Sequence, residues 1–481
     1  MNKPLRHVSL VLACLLLLLI GSTTYFQVVK ADELNADSRN ARTIYNEFGT
    51  NRGPIVVGGQ AVASSVESDD RYGYQREYSN PEMYAHSTGY YSVVYGFAGV
   101  ERSMNDVLSG DADSLFYQRV SDLLSGRKGQ GATVELTLDE GAQRAAYEAL
   151  GNRRGAAVAI DPETGAILAM ASTPSYDPNR LASHSTGDVT AAWDELNADS
   201  NRPMVNRAIA GDLYPPGSTF KLLVAAAALD TGSYTAATEI PGPGAYQLPQ
   251  STNVMSNHPG GDQTPCGPND VSSLEDALMK SCNTSFAMLG VELGEDALRK
   301  KTEEYGFGDS MKIPMNVTPS TMGTDLDNAQ LATSSIGQYE DRVTPLQMAM
   351  VAGSFANDGV VMEPQLIKSV RTSDLNEVQA LVPQRRSQPL SATNAAQMRQ
   401  MMVKTVTDGT ATNARIDGVE VGGKTGTAEW AEGATAHSWF VGYAMSGNKK
   451  VAVAVVVEEG GYGSAVAAPI ARSVMQAVIE E

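Results

Sequence analysis

At 481 residues the chain exceeds one typical domain and has room for two soluble domains plus a short segment. Its formal net charge of −19 argues against nucleic acid as a partner, because a phosphate backbone is gripped by a basic surface. With three cysteines and five histidines, a structural zinc site has almost no ligands to draw on, and neither metal nor cofactor is expected.

The N-terminus is the first informative segment. Lys3 and Arg6 precede an apolar run from Val8 to Ile20, which Gly21 to Val29 continue with small or weakly polar interruptions. Together 8–29 reach the roughly 20 residues that a bilayer-spanning helix needs. Cations before the span and an acidic chain after it place residues 1–7 in the cytoplasm and the bulk of the chain outside, as a single-pass membrane protein. The competing reading is a cleaved signal peptide ending at Val29-Lys30-Ala31, a poor small-x-small site because of its lysine. Export bears on the cysteines. With Cys14 inside the apolar run, Cys266 and Cys282 remain as an even pair in an oxidising compartment. A disulfide between them is expected, the alternative being two buried thiols that never meet.

Residues 30–130 are polar and Tyr-rich and read as a modest extended module of short strands and turns. Ser125-Gly-Arg-Lys-Gly-Gln-Gly131 has the small and charged character of a linker. Beyond it, 131–481 reads as one α+β domain. Val134 to Asp139 alternates as a strand, Gly141 to Leu150 is helix-like, and Ala156 to Ser172 reads as strand, turn, strand around Glu163-Thr164-Gly165. Leu274 to Leu293 and Asn394 to Val406 carry helical patterns. Val419 to Trp430, Ser438 to Ala444 and Lys450 to Glu458 read as three strands with short turns, which favours an antiparallel sheet. Pro469 to Glu481 closes the chain as a helix. DELNADS occurs at 32–38 and again at 194–200, but nothing around it repeats.

Three short motifs carry chemistry. Ser218-Thr-Phe-Lys221 follows Tyr214-Pro-Pro-Gly217 and opens an alanine-rich helix ending near Thr231-Gly232. The i, i+3 spacing stacks hydroxyl and amine on one helix face. A hydroxyl is a weak nucleophile until a neighbouring base takes its proton, and a lysine serves if burial and a second cation depress its pKa. Ser125-Gly-Arg-Lys128 and Ser446-Gly-Asn-Lys449 match the same spacing, but only Ser218 precedes a helix. Lys424-Thr-Gly-Thr427 lies on the predicted strand 419–430. Lys424 is positioned to supply the second charge and to meet a substrate carboxylate, while Gly426 lets a ligand backbone approach the strand. Ser-x-Asn occurs at Ser38, Ser103, Ser251, Ser281 and Ser446. Only Ser251 and Ser281 fall between the other two motifs, and Ser281-Cys-Asn283 sits on or beside a helical stretch that can hold a hydroxyl and an amide rigidly. Taken singly, the SxxK and KTG motifs are better read as a capping serine and a surface lysine; in combination the three motifs are specific.

In this order, SxxK, SxN and KTG resemble the signature of the penicillin-recognising serine enzymes. Other stretches are similar to monofunctional, class B penicillin-binding proteins: Asp161-Pro-Glu-Thr-Gly-Ala-Ile-Leu-Ala-Met170, Pro174-Ser-Tyr-Asp-Pro-Asn179, Asn206-Arg-Ala208, Ile336-Gly-Gln338 with Val343-Thr-Pro-Leu-Gln347, and Ser438-Trp-Phe-Val-Gly442. Asn51-Arg-Gly-Pro-Ile55 looks like that class's N-terminal pedestal motif, without the acidic residue that often follows. The short pedestal is most similar to actinobacterial, division-associated members. The resemblance implies a serine D,D-transpeptidase acting on D-Ala-D-Ala stem peptides and acylated by β-lactams. It implies Ser218 as nucleophile, Lys221 as base, Ser281 as proton relay, Asn283 as orienter of Lys221 and binder of the substrate amide, and the Ser218 and Thr427 N–H groups as oxyanion hole. Lys424, Thr425 and Thr427 would hold the substrate carboxylate, and Cys282 paired with Cys266 would tie the loop 240–270 to the site. A membrane-embedded glycan polymerase is the implied partner. Against a β-lactamase stand the anchor and pedestal and the want of a Glu-centred loop soon after Ser281. One span argues against a multi-span sensor, and about 100 residues ahead of the catalytic domain leave no room for a glycosyltransferase. His437 and Glu429, near the KTG strand, read as polar loop residues.

Overall fold

The computed structural model describes residues 3–30, 48–117, 124–125, 129–257, 263–430 and 433–480. The first copy of DELNADS, the middle of the expected linker (126–128), Ala31 of the alternative cleavage site and residues 431–432, between the first two of the three expected C-terminal strands, fall outside them. Helix α1, Lys3–Thr24, runs into one further turn over Tyr25–Val29 and is long and apolar enough to cross a membrane. Among the described residues it is the only such helix.

The N-terminal module begins with strands β1 (Ile55–Val57), β2 (Gln60–Glu67) and β3 (Tyr74–Tyr78) and contains short helices as well as strands, among them Pro81–Thr88. Its interior is pinned by charge. Arg52, from the Asn-Arg-Gly-Pro motif, and Arg76 on β3 both donate to the buried carboxylate of Glu101, at 2.6 and 2.7 Å, and Tyr78 Oη donates to it at 3.3 Å. The acid expected beside the motif is thus supplied from 49 residues further on. Burial alone would push the Glu101 carboxyl up; the Arg76 and Arg52 charges outweigh it and hold it below the usual carboxylate range. Removing Glu101 leaves two buried guanidinium groups without their counter-charge, which costs about 3 kcal/mol or more.

Strand β4, Thr133–Leu136, pairs in parallel with β1 and leads into helix α2, Glu140–Leu150, capped by Asp139 through Ala142 N–H. Strands β5 (Gly155–Ile160) and β6 (Ile167–Thr173) form the expected hairpin. Then come helix α3 (Lys221–Asp230), α4 (Leu274–Lys280), α5 (Asn283–Leu293), α6 (Asn328–Ser334) and α7 (Pro345–Ala356). Strands β7 (Ile367–Arg371) and β8 (Glu377–Ala380) precede α8 (Ala392–Thr407). Strands β9 (Glu420–Ala428), β10 (His437–Ser446) and β11 (Lys449–Val457) and helix α9 (Ala467–Glu480) complete the chain.

Two sheets organise these elements. One has the order β8-β7-β4-β1-β2-β3, so it crosses the boundary expected near 131 and borrows a hairpin from far along the chain. The other is antiparallel, in the order β9-β10-β11-β5-β6, and leaves β9 at an edge. The unbroken apolar run of β11 reflects burial on both faces. Val451, Val453, Val455 and Val457 pack with α2 and α9, whereas Ala452, Ala454 and Val456 pack with α7 on the opposite side. Helices α3 and α7 are apolar all round because they lie inside the domain rather than on it. The expected continuous helix over Leu274–Leu293 is broken: Ser281 adopts a left-handed φ of 64° and the chain restarts at Asn283.

Candidate active site

The nucleophile motif does not open its helix directly. Gly217–Thr219 form a single 3-10 turn, and α3 begins at Lys221. Gly217 N–H donates to Gly337 O at 2.8 Å and Thr219 N–H to Pro216 O at 3.4 Å, leaving the Ser218 N–H between them without an acceptor among the described residues. Ser218 lies in the floor of a cleft of about 650 Å³. The turn is backed by the loop after α6. There Gly337, at φ 74°, packs so closely that a Cβ would sit 2.1 Å from Gly217 O. Gly426 also serves the protein's own packing. A Cβ there would meet Thr219 Cγ2 and Trp439 Cβ at 3.0 Å, so the missing side chain lets the nucleophile turn seat on β9.

Lys221 is fully buried. Its Nζ donates to Ser281 O and to Asn283 Oδ1, both at 2.7 Å, with Ser281 Oγ at 3.4 Å. The break between α4 and α5 makes this possible, because the left-handed Ser281 turns its own carbonyl toward the lysine while Asn283 starts the next helix. Lys424, also fully buried, donates to Ser281 Oγ at 2.7 Å and to Thr425 O at 3.0 Å. The Ser281 hydroxyl therefore stands between the two amines. Burial pushes Lys424 down to about 7. Lys221 is equally buried and feels the Lys424 charge in addition, which holds it well below the ordinary lysine value. Once neutral, its two N–H bonds satisfy the two carbonyl acceptors and its lone pair stays free.

Thr425 and Thr427 line the cleft from β9, and the Thr425 hydroxyl donates to Thr410 Oγ1 at 2.8 Å. As an edge strand β9 offers alternate N–H groups to whatever lies beside it. Cys266 and Cys282 form a disulfide, with Cα atoms 5.9 Å apart. Asn283 Nδ2 donates to Ser256 O at 3.1 Å, and Thr284 N–H to Asn257 Oδ1 at 3.0 Å, so the segment ahead of Cys266 is also sewn to the start of α5. Ser251 is half-buried in a bend and lines no part of the cleft, whereas Ser281 does.

Two groups read as loop residues separate here. Glu429 lines the cleft. His437 is instead the first residue of β10, buried, in a neighbouring pocket with Tyr214, Trp430 and Glu458. Several other residues sustain the site without having announced themselves in the sequence. Glu458 accepts from Arg207 Nε at 2.7 Å, Tyr214 Oη at 2.8 Å and Arg154 Nε at 2.7 Å, fixing the Tyr-Pro-Pro approach to Ser218. Asp341, fully buried, accepts from Ser334 Oγ at 2.9 Å and Gly323 N–H at 3.3 Å and closes the loop that carries Gly337. Burial pushes its carboxyl up to about 8. Gln338, with both ends of its amide satisfied, donates to Glu429 O at 2.9 Å and accepts from Glu429 N–H at 3.2 Å, joining that loop to the far end of β9.

A nucleophile turn, a buried lysine pair and a bridging Ser-x-Asn are the geometry that the family model for the penicillin-binding protein transpeptidase domain covers, and it matches residues 155–476. The chain belongs to that family. The dimerisation-domain model of penicillin-binding protein A matches 52–134. This penicillin-binding protein is 41% identical to the peptidoglycan D,D-transpeptidase PbpA of Mycolicibacterium smegmatis, over the full length of both chains. It is 39% identical to PbpA of Mycobacterium tuberculosis, over 100% of this chain and 99% of that one. Its fold matches the structure of penicillin-binding protein A from M. tuberculosis in its imipenem acyl-enzyme complex, with a TM-score of 0.86 at 39% identity, over 90% of this chain and 100% of that one.

Proposed function

We propose that this penicillin-binding protein is a peptidoglycan D,D-transpeptidase that cross-links stem peptides through an acyl-enzyme on Ser218, and that β-lactams acylate the same hydroxyl. The observation that carries the reading is the buried Lys221, held by two carbonyl oxygens at 2.7 Å beside a second buried lysine. A buried amine with no carboxylate partner is costly unless it is neutral, and a neutral amine is the base a serine needs.

Ser218 Oγ attacks the carbonyl carbon of the penultimate D-Ala as Lys221 Nζ takes its proton. The oxyanion is received by the Ser218 and Thr427 N–H groups, each donor being worth about 3 kcal/mol of transition-state stabilisation. The peptide C–N bond breaks, and the leaving D-Ala amine takes a proton from Lys221 directly or through Ser281 Oγ. Lys424, Thr425 and Thr427 hold the leaving residue's carboxylate, and Asn283 orients Lys221 and the substrate amide. An amine from a neighbouring stem then attacks the ester carbonyl, the Ser218 C–O bond breaks, and the hydroxyl recovers its proton. The disulfide steadies the wall that carries Ser281 and Asn283.

Helix α1 anchors the chain in the cell membrane by a single span, with residues 1–7 inside and the catalytic domain outside. The match of the similar, full-length PbpA chains supports a role in peptidoglycan synthesis, which we place in cell division. A glycan polymerase embedded in the same membrane is the partner this placement suits, since it supplies the uncross-linked strands. The test is intact-mass spectrometry of the full chain in detergent after exposure to penicillin, beside Ser218→Ala. A long-lived, stoichiometric adduct on the first and none on the second is expected. No adduct on the wild type would overturn the reading, and rapid drug turnover would move it to a hydrolase.

A further inference from the structure

The cleft has two charged side chains among its described lining residues, Lys280 and Glu429, and Glu429 is the only acid. Lys280 is engaged, donating to Cys266 O at 2.8 Å. Glu429 is different. Its backbone is gripped at both N–H and C=O by the Gln338 amide, while its exposed side chain has no hydrogen bond or ion pair among the described residues. The residue is held, and its charge is left unpaired.

Its direction follows from the strand. Residues two apart on an extended segment face the same side, and Thr425, Thr427 and Glu429 do line the cleft in that rhythm. Resting on the function proposed above, the order along this edge fixes the polarity of a bound donor. The carboxylate of the leaving residue lies by Lys424 and Thr425, and the scissile carbonyl lies by Ser218 and Thr427. The part of the stem that precedes that carbonyl therefore runs on past Glu429. We infer that Glu429 is a specificity-determining residue that selects donors bearing a positive charge upstream of the scissile carbonyl, such as the side-chain ammonium of a dibasic stem residue.

A β-lactam places its acyl side chain where that upstream segment lies, so the inference is measurable with three penicillins: ampicillin, whose side chain bears an ammonium, benzylpenicillin, which is neutral there, and carbenicillin, which bears a carboxylate. Second-order acylation rates are measured on the full-length protein in detergent, at a pH below the pKa of the ampicillin amine. Glu429→Gln lowers the ampicillin-to-carbenicillin rate ratio by about fivefold or more, the upper end for a solvent-accessible ion pair, and Glu429→Lys lowers it further. The wild-type ratio falls as salt is raised, and that of Glu429→Gln does not. A ratio that is the same in all three proteins would overturn the inference while leaving acylation of Ser218, and hence the proposed function, intact. Loss of acylation by all three penicillins alike in Glu429→Gln would also overturn it, because the residue would then serve the site's construction rather than its selectivity. Absence of any adduct on the wild type would remove the proposed function itself and this inference with it.

Discussion

The titration of the two lysines governs the site at the scale of single residues. Because the Lys424 charge helps to depress Lys221, Lys424→Gln raises the Lys221 pKa and moves the acidic limb of the penicillin-acylation profile to higher pH. The rate also falls, as the substrate carboxylate loses its partner. Acylation rates across a pH series on the variant check this, and a limb that stays put or moves down contradicts it. Asp341 offers a second test. Its folded pKa of about 8 lies above the unfolded value of about 3.9, so the folded state holds the proton longer. Wild-type stability conferred by this group is therefore present below pH ~4 and is lost as pH rises toward ~8. Asp341→Asn keeps the shape without the titration. It becomes the more stable protein across that window, by on the order of 5 kcal/mol at the upper end, as urea unfolding at a series of pH values would show.

These residues also mark what the sequence could and could not disclose. Ser218 and Lys221 announce themselves because one helical turn separates them, and Lys424 because Thr-Gly follows it. Asp341, Gln338 and Glu458 do nothing recognisable at short range. Glu458 becomes a hub only when β11 delivers it to Arg207 and Tyr214, 251 and 244 residues away, and no periodicity encodes such a meeting. Gly426 was legible as a close approach, but which group approaches was not.

Among the elements, the break between α4 and α5 matters most. Helical periodicity runs through Leu274–Leu293 with no proline and with its one glycine, Gly290, well past the break, so it reads as one helix. The left-handed Ser281 costs about 1 kcal/mol or more as a non-glycine, and the structure sustains it through two amine contacts and the adjacent disulfide. Cys282→Ser removes a closure across a sequence separation of 16, worth about 3 kcal/mol in the chain-entropy model. It should also slow penicillin acylation by loosening the carbonyl and amide that hold Lys221. Urea unfolding with and without reductant, and acylation rates of the variant, measure the two effects; identical midpoints and rates would rule out this role. The three C-terminal strands, by contrast, were legible throughout, because β11 buries both faces and its composition says so.

On the scale of the whole molecule, the first sheet does not respect the division into pedestal and catalytic domain. β4 sits between β1 from the N-terminal module and β7 from the catalytic part. A chain shortened to 131–481 loses β1 to β3, exposing one edge of β4 together with the side chains that packed on Ile55 and Val57. Every described residue lining the cleft lies between Ser218 and Ser464, so the shortened chain retains acylation per soluble molecule but self-associates through its open edge. Size-exclusion chromatography beside penicillin titration distinguishes this from a monomeric fragment.

The same interleaving gives the molecule a mechanical character. A pull entering the chain at Asn51 reaches β1, whose bonds to the parallel β4 lie across the direction of the load. They share it in shear instead of opening one after another. β4 passes the tension to β7 on one side and, through Asp139 and α2, to the floor of the main sheet. Tugging on the pedestal is thus felt as strain in the body that holds the cleft, as along a spliced rope, not as slack in a flexible leash.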